Sequence, residues 1–488
     1  MKKFVILLLV CCLLAGCGRP GDTQGTTTPS GTGSATKPTG SAESVETTAP
    51  APSDGTTAPS ATDGTTAPTQ PTKPADHTCE FGPWLVKTKA TCSKEGREER
   101  ICPKCYASET RPIAKTAHNL GNYKVCKTCS FVDFDPNAKV VELGLLTNKN
   151  YSAGNAANTA WDVKIWNGKV FRGSGDYDKN AGKAPIFAYN IANQTWENTG
   201  VMADQAIHRF AEIDGKLMAP GIDPTGSWSM GNYYVLNDDG KSWETVRNLP
   251  NGVHNFAMIA FDGKIFAGLG MEDTADSVAV SSDGGKSFTF APLYKDGAPF
   301  DASGYKLART YDFAVYNNQL YALVYFYGGG FNNMYCIFRY EGGKMVYVGV
   351  AGGLTGGIGT NRNYWNGSFE FDGACYLTAY YLYAVTDFAN PDSHQKIEMP
   401  NKERVVDALV RDGVIYTLCY KQDSKTKDFN AVIYKSTTGK KDSFEEVVSY
   451  TYPAHPCSFD TDGTYFYVGT ATAISDTAKT GMVLRVKP

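Results

Sequence analysis

The sequence predicts an all-β protein whose main body is a β-propeller, seven-bladed to within one blade, behind a small cysteine-rich module and a disordered tether. Three observations lead there. The 488 residues include 50 Gly, 29 Tyr and 24 Phe, and glycine-punctuated aromatic strands are how antiparallel sheets are written. From about residue 140 onward, an apolar strand repeatedly runs into Asn-Gly or Asp-Gly and out into another strand, the signature of a type I′ hairpin. These copies recur every ~40–55 residues, the length of one four-stranded blade. With 42% hydrophobic residues the chain can build a sizeable core, which excludes disorder of the whole. Lys+Arg 47 against Asp+Glu 50 leaves a net charge of −3, so charge gives no argument for nucleic acid as a partner.

The chain opens with Met1-Lys2-Lys3, an apolar run from Phe4 to Leu14, and Ala15-Gly16-Cys17: a positive start, a short hydrophobic stretch and a small-residue cleavage site. The run is too short to span a bilayer, and no other segment has the ~20 apolar residues a spanning helix needs. Leu14-Ala15-Gly16-Cys17 resembles the lipobox of bacterial lipoproteins. The resemblance implies cleavage within 1–17, lipidation of Cys17, and attachment to the outer face of a bacterial membrane, of the Gram-positive kind. An ordinary secretory signal is the alternative. Residues 18–76 then collapse to Thr, Pro, Ser, Gly and Ala, which cannot bury enough apolar surface to fold. Such a tether reaches ~180 Å fully extended, or ~45 Å as a coil.

Residues 77–135 form the cysteine module. Of 13 Cys, six lie between Cys79 and Cys129, and only these show a pattern. Cys102-Pro103-Lys104-Cys105 and Cys126-Lys127-Thr128-Cys129 are two C-x-x-C knuckles whose spacing fits one structural tetrathiolate zinc site, Cys102, Cys105, Cys126 and Cys129, in a zinc-ribbon-like fold. Cys79 to Trp84, Thr91-Cys92, Arg100, the first knuckle, Glu109-Thr110 and His118 together resemble a short Cys-rich repeat of Gram-positive surface proteins, with Cys126 to Cys129 a truncated second copy. If each copy stands alone, Cys92, Cys102, Cys105 and His118 form a Cys₃His site instead, with His77 and Cys79 peripheral. Disulfide pairing is a further reading for an exported segment. A redox C-x-x-C is expected at a helix start beside a βαβ unit, and none is visible. No organic cofactor is expected.

Residues 136–488 carry the repeated hairpins. Their turns fall at Asn167-Gly168, Asp214-Gly215, Asp262-Gly263, Asn317-Asn318, Asp372-Gly373, Asp412-Gly413 and Asp462-Gly463. A third strand follows each hairpin, and a fourth generally follows with Trp196, Trp243 or Phe288 near its start. The last copy runs out of chain after its third strand, whereas Lys139 to Leu146 precedes the first copy unpaired. That strand is therefore expected to complete the last blade and close the ring. Cys336, Cys375, Cys419 and Cys457 lie within strands and read as buried fillers. Ser281 to Phe288 resembles the Asp-box (BNR repeat) of sialidase-like propellers, with Leu236 to Trp243 a near copy and Ser436 to Gly439 a decayed one. The box implies fold and not catalysis.

In a propeller, residues just before each hairpin converge on the mouth of the central channel. Reading back gives Trp161, Asp162, His208, His254, Arg309, Asp312, Trp365, Arg404 and His455 as candidate ligand-binding residues, which includes three of the six His. Arg pairs carboxylates and aromatic rings stack on sugars, so the expected ligand is a glycan or another surface polymer. The competing account for each residue is structural, capping a strand or bonding a neighbouring blade. An enzyme, a sialidase-like glycoside hydrolase or a polysaccharide lyase, would draw on Asp162, Asp312 and Asp407. The arginine-centred motif that opens sialidase domains is not recognisable, and no catalytic residue is assigned. A protein-binding scaffold is the third alternative.

Overall fold

The structure is a computed structural model that describes residues 77–144, 156–177, 182–272, 276–328, 334–354, 365, 367–473 and 476–488. The expected signal, Cys17 and the tether lie outside these residues. Six of the repeated turns place both central residues at positive φ, from Asn167 at 46° and Gly168 at 73° to Asp412 at 51° and Gly413 at 73°. That is the backbone a two-residue I′ hairpin requires, and Asn, Asp and Gly reach it at least cost. The seventh turn differs. Asp462 accepts from the N–H groups of Thr464 and Tyr465, at 2.8 and 2.7 Å, so its side chain builds a wider turn.

The chain divides into two compact units. The first holds residues up to Lys89 together with Gly96–Ile113, and its described part is one antiparallel sheet of Leu85–Thr88, Gly96–Ile101 and Ser108–Ile113. The second holds Ala90–Glu95 and Ala114–Pro488. The knuckle Cys126 to Cys129 thus belongs with the propeller, and the module expected over 77–135 is shared between the two.

In the second unit, successive strands form antiparallel groups of four, five of them separate sheets and two joined with short strands into one 12-stranded sheet, and they are numbered here 1 to 7 in chain order as blades. Blade 1 is Val163–Trp166, Lys169–Arg172, Pro185–Asn190 and Thr195–Val201. Blade 2 runs from Ala211–Ile213 to Trp243–Pro250, and blade 3 from His254–Phe261 to Thr289–Phe290. Blade 4 runs from Leu307–Tyr316 to Lys344–Val350, where Leu293–Lys295 adds a parallel strand. Blade 5 spans Ser368–Phe371 to His394–Ile397, and blade 6 Arg404–Arg411 to Glu445–Tyr452. Blade 7 is Ala454–Thr461, Phe466–Ala473, Val483–Val486 and, from the far end of the chain, Val140–Glu142. The unpaired N-terminal strand does complete the last group, through the pairs Leu484–Glu142, Arg485–Val141 and Val486–Val140.

Hydrophobic clusters lie between blades rather than within them. Phe171, Ile186 and Tyr234 join blades 1 and 2, and Phe266, Phe313 and Phe338 join 3 and 4. Tyr376, Val405 and Tyr434 join 5 and 6, while Val163, Trp196, Tyr467 and Val483 join 7 back to 1. Facing sheets bury both of their surfaces, and the ring closes, which makes the unit an all-β propeller.

In blades 2 and 3 the turn between the third and fourth strands buckles the blade to the one before it. In blade 3, Asp283 accepts from Ser281, from the Ser287 N–H and from the Ser287 hydroxyl at 2.6–2.9 Å, which holds its carboxyl well below the usual carboxylate range. The carbonyl of Gly285 then receives Tyr233 Oη and Asn248 Nδ2 of blade 2, at 2.9 and 2.6 Å. Gly285 sits at φ 88°, and a Cβ there would stand 2.5 Å from Tyr233 Oη. Lys169 Nζ of blade 1 reaches the Gly240 carbonyl of blade 2 in the same manner, at 2.9 Å.

Candidate functional site

Chemistry-bearing side chains converge in two Cys/His groups and in a run of rings contributed by blades 1 to 4. The two knuckles do not share one site. Cys102 and Cys105 meet His77 and Cys79, all in the first unit, whereas Cys126 and Cys129 meet Cys92 and His118, all in the second. The predicted four-cysteine set is therefore not assembled, and neither is a set of Cys92, Cys102, Cys105 and His118. His77 and Cys79, expected at the periphery, are members of the first group. The spacing of the knuckles fits one site as well as two, and only the fold assigns the partners.

Each group fits a tetrahedral metal. Ligands at ~2.0–2.3 Å from one ion lie ~3.3–3.8 Å apart. His77 Nε2 is 3.1 Å from Cys102 Sγ, and Cys79 Sγ is 3.4 Å from Cys105 Sγ. Cys92 Sγ is 3.8 Å from Cys126 Sγ, and His118 Nδ1 is 3.4 Å from Cys129 Sγ. A disulfide needs ~2.0 Å, and all ten described cysteines are free.

The knuckles also prepare thiolates. Burial pushes the Cys102 thiol up, but the His77 ring and the N–H groups of Lys104 and Cys105 outweigh it and bring it down to about 6. Cys126 is likewise raised by burial and drawn down further, to about 5, by the N–H groups of Thr128 and Cys129 and by His118. Burial and its two cysteine neighbours push Cys92 up to about 11. A cation between these sulfurs would reverse that last effect. Both sets are closed four-ligand arrangements of the structural kind, with Cys102, Cys105 and Cys126 buried.

The structure brings part of the predicted set together, with Trp161, His208 and His254 themselves buried. Aromatic rings from blades 1 to 4 form a continuous run. Trp161 lies 4.4 Å from His208, which lies 5.6 Å from Tyr177, itself 5.7 Å from His254. His254 stacks on Phe256 at 5.5 Å, and Phe256 meets Tyr311 at 4.8 Å with the Arg309 guanidinium 5.8 Å from its ring. Tyr325 and Tyr335 extend the run, at 5.8 and 4.6 Å.

The remaining predicted residues go elsewhere. Trp365 is fully buried, its indole N–H on the Leu354 carbonyl at 3.1 Å, so it is a core residue and not a stacking platform. His455 is buried against Tyr420 and Phe429, at 4.3 and 5.1 Å. Arg404 is exposed over Tyr380, at 4.2 Å.

The three acids proposed for an enzyme hold blades together. Asp162 accepts the Phe210 N–H of blade 2 at 2.7 Å, and Asp407 accepts the Phe459 N–H of blade 7 at 3.1 Å. Asp460 continues the series from blade 7 to the Ile165 N–H of blade 1, at 2.8 Å. Asp312 pairs with Arg209 at 2.6 Å, and Arg209 also donates to the Trp365 carbonyl. Arg209 opens blade 2, Asp312 lies in blade 4 and Trp365 precedes blade 5. Groups from non-adjacent blades meet only on the axis, so this pair bridges the channel. Of the four remaining buried cysteines, Cys336 and Cys375 are pushed up to about 12 by burial, as fillers should be.

Sequence reasoning missed three residues. Asp204 is fully buried, accepting from Asn232 at 2.7 Å and from Tyr234 Oη, and burial pushes its carboxyl up to about 6. Asp223, at φ 59°, places its carboxylate on His254 Nδ1. Both lie on short strands, Asp204–Ala206 and Ile222–Pro224, that stitch blade 2 to blade 3 through the pair Ile222–His254. Gly221 makes room for them, since a Cβ there would stand 2.6 Å from the Asp204 carboxylate. Tyr177 is the third. All three stand outside the hairpin phrase, and only the fold shows Asp223 in the left-handed region.

No protein family and no curated protein matches this sequence. Among solved structures, the chain is similar to the computationally designed Ika8 protein, with 9% identity, TM-score 0.39, and 69% of this chain and 98% of that one covered. It is similar to YCF48 bound to a D1 peptide, with 11% identity, TM-score 0.42, and 74% and 98% covered. The β-propeller domain of the Trilobed protease from Pyrococcus furiosus shares 11% identity, TM-score 0.31, with 76% and 94% covered. The propeller assignment rests on the strand topology above.

Proposed function

We propose that this protein is a lipid-anchored bacterial surface protein whose propeller binds an extracellular ligand through the channel mouth, the ligand being a glycan or another surface polymer. The observation that carries the reading is the run of rings from Trp161 to Tyr335 with the Arg309 guanidinium beside it, contributed by successive blades. Its half-buried members Tyr177, Tyr325 and Tyr335 offer ring faces, backed by the buried Trp161, His208, His254, Phe256 and Tyr311, and Arg309 adds a cation, the means by which sugar rings and acidic substituents are held. Binding without hydrolysis is supported by the use of Asp162, Asp407 and Asp312 in holding blades together. The anchor is supported by Leu14 to Cys17 alone, with Cys17 as the acylated residue.

The test is to incubate the full chain with a panel of host and bacterial glycans, then to measure retention and to search for released fragments by mass spectrometry. Retention without cleavage is expected, falling roughly 5- to 30-fold in Tyr177→Ala and in Arg309→Ala, since a stacked ring or a charge pair is each worth about 1–2 kcal/mol. Released fragments would make the protein a hydrolase or lyase. Neither retention nor release would leave a protein-binding scaffold.

A further inference from the structure

We propose that the chain holds two metal ions, and that the one bound by Cys92, His118, Cys126 and Cys129 is a clasp on the closure of the propeller. The donor sets argue for two ions. Each has one C-x-x-C knuckle whose backbone N–H groups face its first sulfur, plus one histidine and one further cysteine, with all ligand atoms within 4.8 Å of one another. Three soft sulfurs and an imidazole nitrogen in a closed tetrahedral arrangement are a zinc donor set.

The place of the second set argues for the clasp. The residues leaving its knuckle pair at once with the outer strand of blade 1. Phe131 bridges Thr195, the Val132 N–H donates to the Gln194 carbonyl at 2.8 Å, and the Trp196 N–H donates to the Ser130 carbonyl at 3.1 Å. The Phe131 ring stacks on the ligand His118 with centroids 4.4 Å apart and planes 13° from parallel. Val132, fully buried, packs among Tyr189, Trp196, Tyr467 and Val483, which is the core between blades 7 and 1. Tyr123, just before the knuckle, donates to the Ala478 carbonyl of blade 7 at 3.0 Å. The same stretch then becomes Val140–Glu142, which closes the ring with only three residue pairs.

An ion that fixes Cys92, His118 and the knuckle therefore fixes the segment that lies across the seam and delivers the closing strand. Its binding free energy belongs to the closed propeller, because the open chain cannot present this ligand set. The first set, His77, Cys79, Cys102 and Cys105, belongs wholly to the other unit and holds only that unit's fold.

The experiment counts zinc in the purified full chain and in Cys102→Ser and Cys126→Ser, and follows the melting of each by calorimetry. The proposal expects two zinc ions per chain and one in each variant. It expects a propeller transition unmoved by Cys102→Ser and lowered by at least ~5 °C by Cys126→Ser. One zinc per chain that either variant abolishes would overturn the two-ion assignment, as would a native chain whose module cysteines are disulfide-bonded. Equal propeller melting in both variants would overturn the clasp. If Cys126→Ser does not fold, hydrogen exchange on the native chain with and without a zinc chelator gives the same answer. Chelation is then expected to raise exchange at Val483–Val486 at least ~10-fold while leaving Gln319–Tyr327 of blade 4 unchanged, and a uniform response overturns it.

Discussion

The two knuckles are the same piece of chemistry set in opposite surroundings. Each is followed directly by a left-handed residue, Tyr106 at φ 57° or Ser130 at φ 56°, and each donates a backbone N–H from that residue to the carbonyl of its first cysteine. Around the first there is almost no core. Among the described hydrophobic residues of that unit only Cys102 and Cys105 are buried, while Leu85 and Val86 are 57% and 52% exposed. What surrounds it is a stack of charge on rings, Arg100 over Phe81 and Trp84 and Arg111 over Trp84, at 4.4–4.8 Å. The second knuckle is set against a core that exists already, between blades 7 and 1. A knuckle is thus a portable turn whose importance is decided by its neighbours. In one place it replaces a hydrophobic core, and in the other it fastens one.

The strongest way to break this comparison is to remove a cysteine from the first set. Cys102→Ser is expected to unfold the sheet Leu85–Ile113 outright, because structural zinc is worth about 10–16 kcal/mol to small domains with no other core. Limited proteolysis should then cut between His77 and Ile113 and leave blades 1 to 7 intact. Persistence of a folded first unit would mean that the charge-and-ring stack suffices. In the second unit the packing should matter as much as the sulfurs. Trp196→Ala removes a buried indole, along with its bond to the Leu143 carbonyl at 2.6 Å, and should cost the propeller about 3–5 kcal/mol in denaturant unfolding.

A smaller effect separates the units by pH. Burial raises Asp204 to about 6, so the folded chain holds that proton more tightly than the unfolded chain, whose carboxyl titrates near 4. Stability from this group is greatest below ~4 and is lost as pH rises to ~6, by about 2–3 kcal/mol. Asp204→Asn should remove that slope and raise the urea midpoint at pH 7.5, while an unchanged pH profile would assign the proton elsewhere. Smallest of all, Trp84→Leu should weaken the first unit by about 1 kcal/mol, read from the zinc concentration needed to fold it.

What could be read in the sequence was local, and what could not was relational. Asp262-Gly263 and its fellows announce a hairpin because a positive φ selects the residue type on the spot. The unpaired strand before the first hairpin was legible as the closing strand because a ring leaves one edge to fill. The knuckles were legible for the same local reason as the hairpins, but their partners were not. Cys92 sits between Cys79 and Cys102 in the chain yet joins the second set, an assignment made by the path of the chain in space. Asp162 and Asp407 likewise read as possible acids because a carboxylate looks the same whether it meets a ligand or the N–H of the next blade.

The closing strand also sets a condition on synthesis. Val140–Glu142 is made before any blade, and its partner Val483–Val486 after all the other strands of the ring, so at ~5–20 residues per second the first must wait roughly 20–70 s for the second. A chain that stops short of Val483 keeps an open edge on blade 7 and an idle strand at the other end. The ring is in this sense its own check on length, since only a chain carried through to its last strand can shut.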